Sequence, residues 1–293
     1  MKIIFCIILV AFCTFCVFYF LWAYETLVSQ KQIATTQAES PMINSTWWIC
    51  IHDPNIQFFM YHYIRDHDHR DNAIIKELSI APNLFEKHMQ EVESLAKKGL
   101  ITLMHGDAFI KSQQSWCFPG KKIWIFTADD GWIDMKDSLI PIATIHRVPF
   151  FLGIITDKLD IPWFVTKDDI IDFSKNPLIS LASHSLGHLD NSKLAESDLK
   201  REMCESRKIL QKITHQSVDA YIYPSGRMNP TLSEKVSEEC GYTLAWSTRY
   251  GSDYNSATGS LYKINRIRIS SDTEASFFDH LLSKIDKKLN LSE

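Results

Sequence analysis

The chain has 293 residues, with 31 Lys and Arg against 35 Asp and Glu, a net charge of −4 and a pI of about 6.3. That length suits one α/β domain with a sizeable core. The charge balance lacks the basic field of a nucleic-acid binder, so no nucleic-acid or other polyanionic partner is expected.

Ile3 to Tyr24 is an uncharged apolar run between Lys2 and Glu25, long enough to cross a hydrocarbon core as a helix. Tyr19, Trp22 and Tyr24 near its distal end suit an interfacial aromatic belt, and the basic start should stay cytoplasmic. A cleaved signal peptide is the competing reading. The run is longer than a usual signal core, however, and no small-x-small site follows closely, which favours an uncleaved anchor. The expected organisation is an anchor or uncleaved signal at 1–25, a polar stalk at 26–50 and a domain at 51–293 facing outward. Cys6, Cys13 and Cys16 read as apolar filler. Cys50, Cys117, Cys204 and Cys240 have no Cys-x-x-Cys spacing and do not make a zinc site; their pairing stays open between disulfides and free thiols.

Ile56 to Ile64 reads as a first strand carrying Tyr61 and His62 at its far end. Arg65 to Asp71 is rich in His and Asp, but its alternating signs and lack of apolar framing predict a solvated loop. Pro82 to Lys98 has helical spacing, with Phe85, Met89, Val92 and Ala96 on one face and Gly99 as the stop. Leu100 to Met104 reads as a short strand leading into a loop. Lys121 to Thr127 is an apolar, β-branched strand closed by Asp129-Asp130-Gly131. In a parallel α/β architecture, loops converge over that C-terminal end. Asp-Asp-Gly is also ordinary turn chemistry, so the pair alone leaves a catalytic and a solvated-turn reading open.

Met135 to His146 is an expected helix with His146 capping its end. Pro149 to Ile155 and Leu178 to Ser183 are buried strands. The strand and helix alternation predicts βαβ units in a parallel sheet or barrel. The second of these strands ends in His184-Ser185-Leu186-Gly187-His188, where two imidazoles four residues apart on a coiling turn suit a divalent metal. With one carboxylate they would make an open, catalytic type of metal site.

A helix from Ser197, as N-cap, to Ile213 precedes the strand Val218 to Tyr223, which breaks at Pro224-Ser225-Gly226. Such a turn can aim backbone N–H groups into a site. Thr231 to Glu234 reads as a capping box for a helix stopping at Gly241, and Ser271 to Glu274 as another for a last helix to about Leu289. Tyr242 to Thr248 and Lys263 to Ser270 are strands; Trp246 could wall a sugar site or fill the core.

The order of these motifs resembles the polysaccharide deacetylases of the NodB-homology type, carbohydrate esterase family 4. Thr127-Ala128-Asp129-Asp130-Gly131 looks like their first motif, with Ala128 where the family has Phe. His184-Ser185-Leu186-Gly187-His188 matches the second. Tyr223-Pro224-Ser225-Gly226, Met60-Tyr61-His62, Ala81 to Glu86 and Ile264-Asn265-Arg266-Ile267 resemble the branch that includes exported poly-N-acetylglucosamine deacetylases.

The resemblance implies an α/β distorted (β/α) barrel, here preceded by the one transmembrane helix expected from the apolar run, and metal-dependent N-deacetylation of an N-acetylglucosamine-containing polysaccharide. Asp130, His184 and His188 would hold a divalent metal, zinc first among the transition metals. Asp129 would be the general base toward a metal-activated water, and the Ser225 N–H would stabilise the oxyanion, with His62 a further catalytic candidate. Peptidoglycan or chitin-like substrates, and a non-catalytic glycan-binding relative, are the alternatives. Two departures stand out: no Arg precedes Tyr223-Pro224 to pair with the base, and the family's Leu-x-His motif has no match, since His280 falls in the last helix.

Overall fold

The computed structural model describes residues 50–52, 54–248 and 260–290. The anchor and nearly all of the stalk expected from sequence lie outside the described residues. Among the described residues no helix is long and apolar enough to cross a membrane.

Eight strands form one sheet: β1 (Asn55–Tyr61), β2 (Thr102–Leu103), β3 (Lys122–Ala128), β4 (Phe150–Ile154), β5 (Ile179–Ser183), β6 (Ala220–Ile222), β7 (Leu244–Trp246) and β8 (Ile267–Arg268). Their order is β7-β6-β5-β4-β3-β1-β8, with β2 beside β3, and the ladders between these strands are parallel. An isolated parallel bridge between Trp246 and Ile264 links the two ends of this order. The result is a curled α/β half-barrel, in agreement with the parallel βαβ expectation.

The strands β1, β3 and β4 are buried on both faces almost throughout, as their unbroken apolar runs require. Period-two alternation sends Phe59, Tyr61, Trp124 and Phe126 into one cluster, with Phe85, Met89 and Val92 of the helix Pro82–Lys97 and Phe278 of the helix Phe277–Asn290. The alternate residues Ile56, Phe58, Ile123, Ile125, Phe151, Ala182, Ile222 and Leu244 come together from six strands in a second cluster. Trp246 belongs to it, fully buried against Phe58 and Phe151, so it is a core residue and not a sugar wall. Truncating a residue of that size in such a core costs about 3–5 kcal/mol.

Several local expectations change. The helix Gly106–Ser115 occupies a stretch expected as loop, and the helix Lys167–Phe173, with a capping box between Thr166 and Asp169, adds an element to those expected from sequence. Ser197 is not an N-cap. Helix begins at Glu196, whose carboxylate pairs with Lys235 at 2.7 Å across to the neighbouring helix. The box at Thr231 does not form either, because Asn229 Oδ1 takes the N–H groups of Thr231 and Leu232 and helix starts at Ser233. Ser271 to Glu274 likewise precede the helix, which begins at Phe277. The strand expected at Lys263 to Ser270 shrinks to two residues plus the Ile264 bridge. His146 stands at a helix C-cap and pairs with Glu93 at 2.9 Å.

The four domain cysteines form two disulfides, Cys50–Cys117 and Cys204–Cys240. The second ties the helical segment Arg201–Glu205 to the C-cap of the helix Ser233–Glu239.

Candidate active site at the C-terminal edge of the sheet

Three strands of the sheet, β3, β5 and β6, end in turns that use left-handed backbone. Beyond β3, Asp130 (φ 83°) and Gly131 (φ 83°) reverse the chain; beyond β5, Ser185 (φ 71°) and His188 (φ 62°) do so; beyond β6, Ser225 (φ 53°) does. Non-glycine residues pay for that conformation, and it persists only where surroundings fix it. Successive residues Asp129 and Asp130 therefore point to different partners.

Asp130 Oδ1 lies 3.2 Å from His184 Nε2 and 3.5 Å from His188 Nε2. The ligand atoms of these three residues all fall within 4.8 Å of one another. The His184 Nδ1–H donates to the Ile222 carbonyl at 2.8 Å, which leaves the Nε2 lone pair facing the cluster. Tetrahedral zinc with nitrogen and oxygen ligands near 2.0–2.1 Å needs donor atoms about 3.3 Å apart. The donor set and its spacing thus fit a divalent transition ion. Exposure rises from 2% for His184 through 15% for Asp130 to 33% for His188, so the cluster opens to solvent on the His188 side.

The His184 to His188 turn does not coil. It is held by backbone bonds from Thr156 and Asp157 to the carbonyls of Ser185 and Leu186, and by the buried Glu202, whose carboxylate accepts from Gly187 N at 2.8 Å. Gly153 on β4 clears the space beside it, since a Cβ there would sit 2.7 Å from Ile222 Cδ1 and 3.5 Å from His184 Cβ.

Asp129 is buried at the end of β3 and forms a bidentate pair with Arg266, both bonds at 2.7 Å. Arg266, fully buried, also donates to Thr127 Oγ1 and the Ser247 carbonyl, so its donors are well occupied. This answers what holds Asp129 without an Arg before Tyr223: the cation comes from just ahead of β8. Its signal in the sequence was a lone Arg between Ile264 and Ile267, a buried cation that must have a partner. Trp132 is the other residue the sequence reading passed over; its indole N–H donates to Asp130 Oδ2 at 3.0 Å.

His62 continues β1 one step past the Tyr61–Ala128 pairing, level with Asp129 as a parallel ladder predicts. Its Nε2 is 3.9 Å from Asp129 Oδ2, while its buried Nδ1 has no hydrogen-bond partner. Ser225 is exposed on the turn after β6, its carbonyl accepting from Thr248 Oγ1 at 3.0 Å, beside a cavity of about 350 Å³ lined by Ser192, Arg227 and Thr248. Gly226 permits this turn: a Cβ there would lie 2.2 Å from the Thr248 backbone nitrogen.

Burial alone would raise both aspartates. For Asp129 the Arg266 guanidinium outweighs it, and for Asp130 the His184 hydrogen bond and charge do, so both carboxyls titrate below the usual range. Burial lowers His62 and His188, whereas His184, buried but bonded to Asp130, is raised. Two ionised carboxylates among three imidazoles form a polar, partly open cluster able to take a cation and a proton at separate atoms.

Residues 118–245 match the family model described as polysaccharide deacetylase. The polysaccharide deacetylase relative YxkH of Bacillus subtilis (strain 168) is 24% identical over 243 residues, covering 83% of this chain and 81% of its own length. Among solved structures, a Streptococcus pyogenes deacetylase in complex with acetate superposes with a TM-score of 0.69 at 24% identity, covering 78% of this chain and 97% of that one. IcaB from Ammonifex degensii superposes with a TM-score of 0.64 at 14% identity, covering 78% and 96%. The family match spans the strands and turns that carry both aspartates and both histidines, and over residues 118–245 the chain carries a domain similar to the polysaccharide deacetylases of the NodB-homology, carbohydrate esterase family 4 type, hydrolases of carbon–nitrogen bonds other than peptide bonds.

Proposed function

We propose that this protein removes acetyl groups from an N-acetylglucosamine-containing polysaccharide outside the cytoplasmic membrane, with a divalent metal, zinc first, held by Asp130, His184 and His188. The observation that carries this reading is the convergence of those three donors beside a second carboxylate that is clamped elsewhere. When bound, such an ion supplies Lewis-acid activation of a water and of the amide carbonyl. Asp129, fixed by Arg266 and ionised, takes the proton of the attacking water. The Ser225 N–H, at the mouth of the neighbouring strand, is assigned to the charge that develops on the acyl oxygen. His62, the imidazole beside the base, is assigned to pass a proton to the leaving amine. The products are acetate and a cationic glucosamine unit.

The Arg266 clamp weakens the case for a non-catalytic glycan binder, because the base is held as a deacetylase requires. The S. pyogenes relative solved with acetate supports the product side of the reading. The apolar run Ile3 to Tyr24 supports membrane anchoring, the curled parallel sheet supports the distorted barrel architecture of the family, and two disulfides suit an oxidising compartment. Peptidoglycan or chitin-like chains remain the competing substrates.

The test is acetate release from poly-N-acetylglucosamine oligomers, peptidoglycan fragments and chitin oligomers, with and without chelator. Wild-type protein should release acetate from the first and stop when chelated. Asp129→Asn should lose about 10²–10⁴-fold in turnover. Binding of oligomers without any release would sink the enzyme reading, and undiminished release by Asp129→Asn would sink the assigned base.

A further inference from the structure

Trp132 is given no task by the deacetylase chemistry, yet it touches the candidate metal cluster directly. Its Nε1–H, which can only donate, reaches Asp130 Oδ2 at 3.0 Å, while the other oxygen, Oδ1, is the one that faces His184 and His188. The indole is not free to swing. It stacks on Phe164 with ring centroids 4.2 Å apart and planes 26° from parallel, and Tyr63 packs against it at 5.0 Å. The backbone on both sides is tied to the loop after β4, Val165 N–H to the Gly131 carbonyl at 3.0 Å and Ile133 N–H to the Trp163 carbonyl at 2.8 Å.

We propose that Trp132 is a positioning residue that makes Asp130 a one-oxygen ligand. By holding Oδ2 it fixes the carboxylate with Oδ1 toward the two imidazoles and keeps the second oxygen off the ion. Coordination positions then stay open for water and the acyl oxygen, which a carboxylate gripping with both oxygens would crowd. The loop carrying Phe164 thereby contributes to the metal site without supplying a ligand.

This inference rests on the metal site proposed above, and its test reads the metal and not the turnover. Zinc affinity by chelator competition and the visible spectrum of the cobalt-loaded protein are compared for wild type, Trp132→Phe and Phe164→Leu. Trp132→Phe keeps an aromatic ring over Phe164 and removes the N–H. It should weaken zinc binding about 10–100-fold and dim the cobalt bands as Asp130 adds its second oxygen. Phe164→Leu keeps the N–H and should weaken binding clearly less. Zinc affinity within twofold of wild type and an unchanged cobalt spectrum in Trp132→Phe would overturn the role, as would equal losses in the two variants. A wild type that binds no zinc or cobalt would instead overturn the metal site itself.

Discussion

Two stretches of this chain are rich in the same chemistry and end differently. Arg65 to Asp71 holds three Asp and two His; the β3 and β5 ends hold two of each. In the first stretch the carboxylates are spent locally: Asp71 on Arg65 at 3.0 Å, Asp68 on Arg70 at 2.8 Å and on His69, which is 88% exposed. In the second, no Lys or Arg lies within five residues of Asp129 or Asp130. Parallel strands bring Asp130 to His184 across more than fifty residues and bury that imidazole. A site therefore depends less on which ligand types are present than on whether an apolar framework holds them apart from easier partners.

The largest effect should come from breaking the second region: His184→Ala removes a donor and the Ile222 bond together, and should abolish zinc binding and acetate release, read by chelator competition and product assay. Retained zinc affinity would dissolve the contrast between the regions. Next, Arg266→Met strands the buried Asp129 charge and should cost about 3–5 kcal/mol in a urea titration at neutral pH. A loss under 1 kcal/mol would mean that the clamp is not what holds the carboxylate.

Asp134 sharpens the comparison through pH. Burial pushes its carboxyl up to about 6, against an ordinary value of 3.8, although it accepts the Ile64 N–H. A raised acid favours the fold while both states are protonated, below about pH 4, and that contribution is lost as pH rises through 6. The shift corresponds to about 3 kcal/mol at most. Asp134→Asn should therefore gain stability relative to wild type above pH 7 and little at pH 4, read from denaturation midpoints; an equal gain at both would contradict the shift. The smallest effect belongs to the loop: His67→Ala with His69→Ala should leave zinc affinity within about twofold and stability within about 0.5 kcal/mol.

Much of the site was legible because its signals are local. Asp129-Asp130 closes an apolar run and His184 to His188 closes another, so the pattern alone puts both at strand ends. The helices Gly106–Ser115 and Lys167–Phe173 were not legible, since their apolar periodicity is short and the Thr166 cap alone marks the second. The capping boxes expected at Thr231 and Ser271 do not form because Asn229 Oδ1 takes the Thr231 and Leu232 N–H groups and the Glu77 carbonyl takes the Ser271 N–H.

Short segments of the sequence specify the parallel α/β alternation and put Asp129-Asp130 and His184 to His188 at strand ends, because periodicity is a local property; the division of those residues into metal ligands and base is what the family resemblance implies. Tertiary structure alone decided that Arg266 clamps Asp129 from 137 residues away, that Trp132 takes one oxygen of Asp130, and that Cys50 pairs with Cys117 and Cys204 with Cys240. Those partnerships depend on strand register and on which strands neighbour one another. Both are set by the packing of the whole sheet and leave no mark in a local window.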